Sequence, residues 1–260
     1  MQYASESIRQ TGRYSTSGSL AFAPDGHHLA ISAWGSEEAR YSYEVRVFDV
    51  RDGRLVWSHM GRGEAAVSLA FAPDGQTLAS AGWKAVKLWD AQTGEPLRTL
   101  KPDRGGIYDV AFSPDGRLLA GGERFTGGGG REPAELVTLW NVKTGEIIHV
   151  MEGQTGEVVR VGIASVAISP DGKTVALGGA GHVWNFGHGS KVKSDVRLWE
   201  IAIGKPLWAF EGELGSIQSL AFSPDGKTLT YCDDQSVGMI DVHTGKLERI
   251  LKTFFLMPRR

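Results

Sequence analysis

Cysteine is almost absent: Cys232 stands alone among 260 residues. One thiol excludes an internal disulfide framework. Net charge is small, at −2, so the chain carries no overall basic footprint of the kind that holds nucleic acid. No apolar run approaches the length needed to cross a membrane, and residues 1–10 hold no apolar stretch that would serve as a signal peptide. A reducing cytoplasm and no membrane partner are the expectation. What is plentiful is glycine, at 35 residues, with 41% hydrophobic and 22% charged residues. That balance suits one globular domain, residues 1–260, with a sizeable core and many tight turns.

The turns are ordered. Residues 68–72 (SLAFA) form a short apolar run stopped by Pro73-Asp74-Gly75. Proline presets φ for the first corner, aspartate tolerates the second, and glycine takes the left-handed position. Residues 77–80 resume as a second strand, which makes a β-hairpin. Residues 86–89 (VKLW) read as a third strand, closed by a turn from Asp90 to Gly94, and residues 96–100 read as a fourth. The unit is a four-stranded antiparallel meander.

It recurs five times. Pro-Asp-Gly turns stand at Pro24, Pro73, Pro114, Pro170 and Pro224, preceded two residues earlier by Phe22, Phe71, Phe112, Ile168 and Phe222. The third strand ends at Phe48-Asp49, Trp89-Asp90, Trp140-Asn141, Trp199-Glu200 and Ile240-Asp241, and the next turn closes with Gly53, Gly94, Gly145, Gly204 and Gly245. This pattern resembles the WD-repeat family over nearly the whole chain, and the FSPDG and FAPDG spelling resembles the family's bacterial branch. The Trp-Asp pair is intact only at Trp89-Asp90, and the usual Gly-His is missing from all five repeats. The resemblance implies an all-β fold, a propeller of five four-stranded blades, either open or completed by a partner.

The expected blades cover residues 17–60, 61–100, 101–151, 152–210 and 211–251, with a tail at 252–260. Residues 5–16 align with the outer strand and link of a repeat, but Lys246 to Leu251 fits the outer strand of blade five better, so residues 1–10 are expected loosely at the edge of blade one. The apolar tail, Phe254 to Met257, is expected over the seam or against a partner. Extra sequence falls between the second and third strands: residues 33–43 in blade one, 123–131 in blade three and 178–191 in blade four. These connections share one end of the propeller with the links between blades, and repeat arrays commonly bind on the face that carries their insertions.

The aromatic residues sort by position. Trp89, Trp140 and Trp199 share one repeat position and read as packing, as do Trp57 and Trp208 in outer strands. Trp34, Tyr41, Tyr43, Trp83, Phe125, Trp184 and Phe186 fall in the connections, with Arg124, Arg131 and His182 beside them. Rings in loops suit a partner surface, because they bury much area at small entropic cost. The bland alternative is that they cover the blade ends.

Catalytic signals are weak. His182 and His188 share a glycine-rich loop and are the metal candidates, but no cysteine or carboxylate lies close enough in sequence to complete a site. Gly172-Lys173-Thr174 and Gly226-Lys227-Thr228 imitate the end of a phosphate-binding loop, yet its first glycine is replaced by Ala167 and Ala221. Asp233 and Asp234 beside Cys232 oppose thiolate formation. The repeated aspartates are explained by their turns. Lys191, Lys193, Arg124 and Arg131 make a local basic patch at most, and nucleic acid is not the expected partner. The sequence thus points to a non-catalytic scaffold with no cofactor. It would bind a protein or peptide on the inserted face, with self-association through unpaired blade edges left open. The alternative is an enzyme or metal-dependent ligand binder at the mouth of the central channel.

Overall fold

The computed structural model describes residues 14–15, 18–37, 40–62, 66–124, 135–152, 160–183, 191–212, 217–233 and 236–252. These residues form strands and turns with no helix. Blade one comprises β1 (Tyr14–Ser15), β2 (Leu20–Phe22), β3 (His28–Glu37), β4 (Arg40–Asp49) and β5 (Arg54–Arg62). Blade two holds β6 (Ser68–Phe71), β7 (Thr77–Ala81), β8 (Val86–Asp90) and β9 (Pro96–Leu100). Blade three holds β10 (Gly106–Phe112), β11 (Leu118–Arg124), β12 (Glu135–Asn141) and β13 (Ile147–Glu152). Blade four holds β14 (Arg160–Ile168), β15 (Thr174–Val183), β16 (Lys191–Glu200) and β17 (Lys205–Gly212), and blade five β18 (Ser219–Phe222), β19 (Thr228–Cys232), β20 (Ser236–Asp241) and β21 (Leu247–Lys252). Blades two to five are antiparallel meanders in chain order; in blade one β2 to β5 form the meander and β1 also pairs with β3. The molecule is a five-bladed β-propeller arc.

Turn chemistry sets these sheets. The glycines of the Pro-Asp-Gly turns and of the outer turns all have positive φ, from 65° at Gly204 to 79° at Gly145, a region closed to most L-residues. The aspartate before each hairpin glycine caps the turn: Asp115 Oδ1 accepts Ser113 Oγ at 2.6 Å and Arg117 N at 3.0 Å. Those bonds favour the ionised carboxylate, and the Asp115, Asp171 and Asp225 pKa values are all lowered, with the serine hydroxyl the largest cause.

Blades pack face to face through a repeated joint. The inner strand of one blade sends its large residue onto the blade before it. Leu69, Val110, Val166 and Leu220 occupy one repeat position and are 4–7% exposed. Opposite them the preceding blade offers small and branched residues: Leu69 and Trp89 join Ala30, Val45 and Val47 of blade one in a single cluster. The hairpin turns nest as well. A methyl added at Gly75 would sit 3.7 Å from Pro24 Cδ, and Gly116, Gly172 and Gly226 meet Pro73, Pro114 and Pro170 in the same way, whereas nothing lies within 4 Å of that point at Gly26. The core is therefore four successive joints. Among the described residues, no strand of blade five packs along blade one as neighbouring blades pack on each other.

The structure refines three expectations. The C-terminal strand does complete blade five, since β21 pairs with β20. Residues 1–10 and the tail from Phe254 to Met257 lie outside the described residues. Tyr14–Ser15, expected in the place of an outer strand and its link, instead pairs with Trp34 and Gly35 of β3, on the inner edge that β2 also occupies.

Candidate partner-binding face

At the end of the arc where second strands turn into third strands, the blades differ in height. In blade two the hairpin stops at the Ala81–Val86 pair. In blade one β3 and β4 continue pairing to Glu37 and Arg40. In blade four β15 and β16 pair as far as Val183 and Lys191. Each extension adds five residues to the strand beyond the level of Ala81, a rise of about 17 Å. Residues expected as loops at 33–43 and 178–183 are thus largely strand. Two β-arms of equal length flank blades two and three.

The arms are footed alike. In β4, Glu44 receives Arg46 in a bidentate pair, Nε to Oε1 at 2.7 Å and Nη2 to Oε2 at 2.8 Å. In β16, Arg197 Nε donates to Asp195 Oδ2 at 2.7 Å. These pairs occupy the same repeat positions, and their side chains are only 10–22% exposed. Charged pairs withdrawn from water need this geometry to offset desolvation. The sequence carried a signal for them: EVRVFD at residues 44–49 parallels DVRLWE at residues 195–200.

Blade three has a different fixture. Glu123, fully buried, accepts the main-chain N–H groups of Asp103, Arg104 and Gly105 at 2.9–3.0 Å and the hydroxyl of Thr138. Three consecutive N–H donors converging on one carboxylate make a nest that satisfies a buried charge. Glu123 was expected at the start of an insertion. It instead lies in β11 and pins the blade two–three link to the end of that strand.

The expected partner-facing residues divide. Tyr43 is 3% exposed, stands on β4 in alternation with buried Val45 and Val47, and sits in the joint to blade two, where Lys87 Nζ donates to its hydroxyl at 2.6 Å. That burial removes Tyr43 from the partner surface. Trp83 is half-buried in the short connection of blade two. Trp34 and Tyr41 lie on the blade-one arm, His182 on the blade-four arm and Arg124 at the end of β11. Phe125, Arg131, Trp184, Phe186 and His188 lie outside the described residues. Among the described residues no three His, Cys, Asp or Glu side chains cluster as a metal site. Cys232 is half-buried, with Sγ 3.6 Å from the Asp233 main-chain oxygen.

Comparison with known proteins begins with the repeat itself. The model of the WD domain, G-beta repeat, matches residues 53–90, 94–126 and 204–241. Three segments of the chain are thus similar to WD40 repeats. The chain is 27% identical over 165 residues to the WD repeat-containing protein SL1-17 of Schistosoma mansoni, covering 62% of this chain and 45% of that one. It is 28% identical over 146 residues to eukaryotic translation initiation factor 3 subunit I of Culex quinquefasciatus, covering 55% and 40%. Human apoptotic protease-activating factor 1 is 26% identical over 157 residues, 59% of this chain and 11% of that one. The chain spans less than half the length of each of these relatives. Among solved structures, hydrazine synthase of Kuenenia stuttgartiensis superposes with a TM-score of 0.65 at 19% identity, over 93% of this chain and 68% of that one. The shared property is the propeller fold. In the WD40 repeat of blade two, Trp89 Nε1 donates to Ser80 Oγ at 2.8 Å in the buried joint. No helix among the described residues is long and apolar enough to cross a membrane.

Proposed function

We propose that this chain is a non-catalytic, cytoplasmic scaffold whose five repeats are all WD40 repeats of one subtype, and that it holds a protein or peptide partner on its armed face. The observation that carries this reading is the pair of equal β-arms on blades one and four, with the short Ala81–Val86 hairpin of blade two between them. A raised pair of hairpins on a rigid support offers main chain and side chains to a polypeptide, and loops carried by a rigid scaffold are where binding residues concentrate. Trp34, Tyr41, Trp83, Arg124, Phe125, Arg131, His182, Trp184 and Phe186 are assigned to partner contact. The relatives agree with the class: one is named as a subunit of a multi-subunit factor.

The test is affinity capture with the wild-type chain beside a Trp34→Ala, Trp184→Ala variant and a variant in which both arms are cut back to the height of blade two. Partners retained by the wild type should be lost from both variants while the melting temperature hardly moves. Unchanged capture by the shortened-arm variant would remove the arms from function. Zinc or iron near one per chain, lost in a His182→Ala, His188→Ala double variant, would move the reading to a metal-dependent ligand binder.

A further inference from the structure

The four joints include a donor series. The fourth residue after each outer-turn glycine reaches across to a turn carbonyl of the next blade. Trp57 Nε1 donates to Ala91 O at 2.9 Å. Arg98 donates to Thr144 O and Lys143 O, both at 2.9 Å. His149 Nε2 lies 3.4 Å from Ala202 O, and Trp208 Nε1 donates to Val242 O at 2.8 Å. The fifth member is Arg249 of blade five, exposed and with no sixth blade beyond it. Two residues further along, Leu100 and Met151 are each 1% exposed under the following blade, but Leu251 is 45% exposed.

Blade one shows the other half of the same joint. Leu20, at the position where its four repeat partners are 4–7% exposed, is 67% exposed, and beside it Phe22 is 59% and Ile31 39% exposed. Val50, whose counterparts Ala91 and Ile201 are 6% and 7% exposed, is 40% exposed. A methyl at Gly94, Gly145, Gly204 or Gly245 would strike the donor residue of the preceding blade, yet at Gly53 nothing lies within 4 Å.

Among the described residues, both ends of the arc are thus complete joint faces without a partner blade, and the chain itself shows four times what covers such a face. We propose that the arc is closed by WD-type blades outside these 260 residues, one seated on each exposed face. The blade on Leu20 and Phe22 presents small residues, as Ala30 and Val47 do to Leu69. The blade on Leu251 presents an inner-strand leucine or valine and a turn carbonyl for Arg249. This inference does not depend on the armed face.

The first test uses the 260-residue chain. Leu20→Lys should leave the melting temperature within about 2 °C, whereas Leu69→Lys at the same repeat position should abolish folding, since a buried unpaired charge is among the costliest substitutions. Equal damage from both would mean that the first face is already covered, and would overturn the proposal. The second test joins residues 102–212, blades three and four, after Lys252 in place of residues 253–260. The Leu251-Lys252 sequence matches Leu100-Lys101, so the splice keeps the repeat in frame. The extended chain should be monomeric, bind the apolar dye ANS on the order of fivefold less than the original, and now be destabilised by Leu20→Lys. Undiminished dye binding with a silent Leu20→Lys would refute closure by blades of this kind. A wild-type dimer broken by Leu20→Lys would identify a second copy as the occupant and refute it equally.

Discussion

Lys87 Nζ lies 2.6 Å from the hydroxyl of Tyr43 and 5.0 Å from the centre of the same ring, so one ammonium of blade two is held at the hydroxyl end of a single blade-one residue. Around them, His59 lies against Trp89 with ring centres 4.4 Å apart and planes tilted by 47°. Burial is the larger cause of the lowered His59 pKa, with Lys87 adding to it, so His59 is neutral in this joint at physiological pH.

Tyr43→Phe keeps the buried ring and deletes only the hydrogen bond, so it should cost roughly 1.5–3 kcal/mol. Tyr43→Ala should cost about 3–5 kcal/mol, because it empties a buried ring site. Urea unfolding of both variants measures the difference. Partner capture by Tyr43→Phe should equal wild type. A selective loss of capture without loss of stability would return Tyr43 to the partner surface.

Glu123→Gln exchanges one acceptor oxygen for a donor pointing at main-chain N–H groups. It should destabilise by roughly 1–3 kcal/mol and raise hydrogen exchange at residues 103–105 before any other segment. Thr138→Val should share part of the loss, and a double-mutant cycle measures the coupling.

Gly121 lies beneath Trp140, where an added methyl would sit 2.6 Å from the ring carbon Cζ3. Gly121→Ala should therefore cost about 1–3 kcal/mol through overpacking, although alanine ordinarily suits a strand better than glycine. A neutral outcome in thermal melts would show that the ring shifts freely.

Asp109 joins three blades: its carboxylate accepts Ser68 Oγ at 2.7 Å from blade two and Val166 N at 2.8 Å from blade four. Burial raises its pKa above the ordinary 3.8. The folded chain then holds this proton more tightly than the unfolded chain. The resulting stabilisation is complete below 3.8 and is lost as pH rises through the raised value. The stability of wild type relative to Asp109→Asn should fall as pH rises from 3.8 through the raised value. A gap that widens over that range would contradict the assignment.

The blades were legible because Pro-Asp-Gly and the outer-turn glycines act locally: φ preferences and short-range aspartate bonds need nothing from elsewhere in the chain. The arms were not. In residues 178–181 the strand reads GGAG, where glycine leaves no side-chain alternation to detect, and the pairing is main chain to main chain. Tyr43 was misplaced for another reason. Its alternation with Val45 and Val47 marks a buried strand face, but Trp34 and Tyr41 nearby give the same stretch the composition of a connection. Glu123 carries no sequence signal, because its partners are main-chain groups about twenty residues earlier.

The nesting of each hairpin glycine on the proline before it makes the blades links of a line with two free ends. Blade three must break two joints to leave, while blades one and five each break one. The chain should therefore unravel from its ends. Slowly exchanging amides should gather around β10 and β11, with β2, β3, β20 and β21 exchanging by partial openings that cost well under the free energy of global unfolding. A calorimetric enthalpy larger than the van't Hoff value would be the thermal mark of that graded loss. The resting molecule is then most pliable at its two unpartnered faces and most rigid where Asp109 ties three blades together.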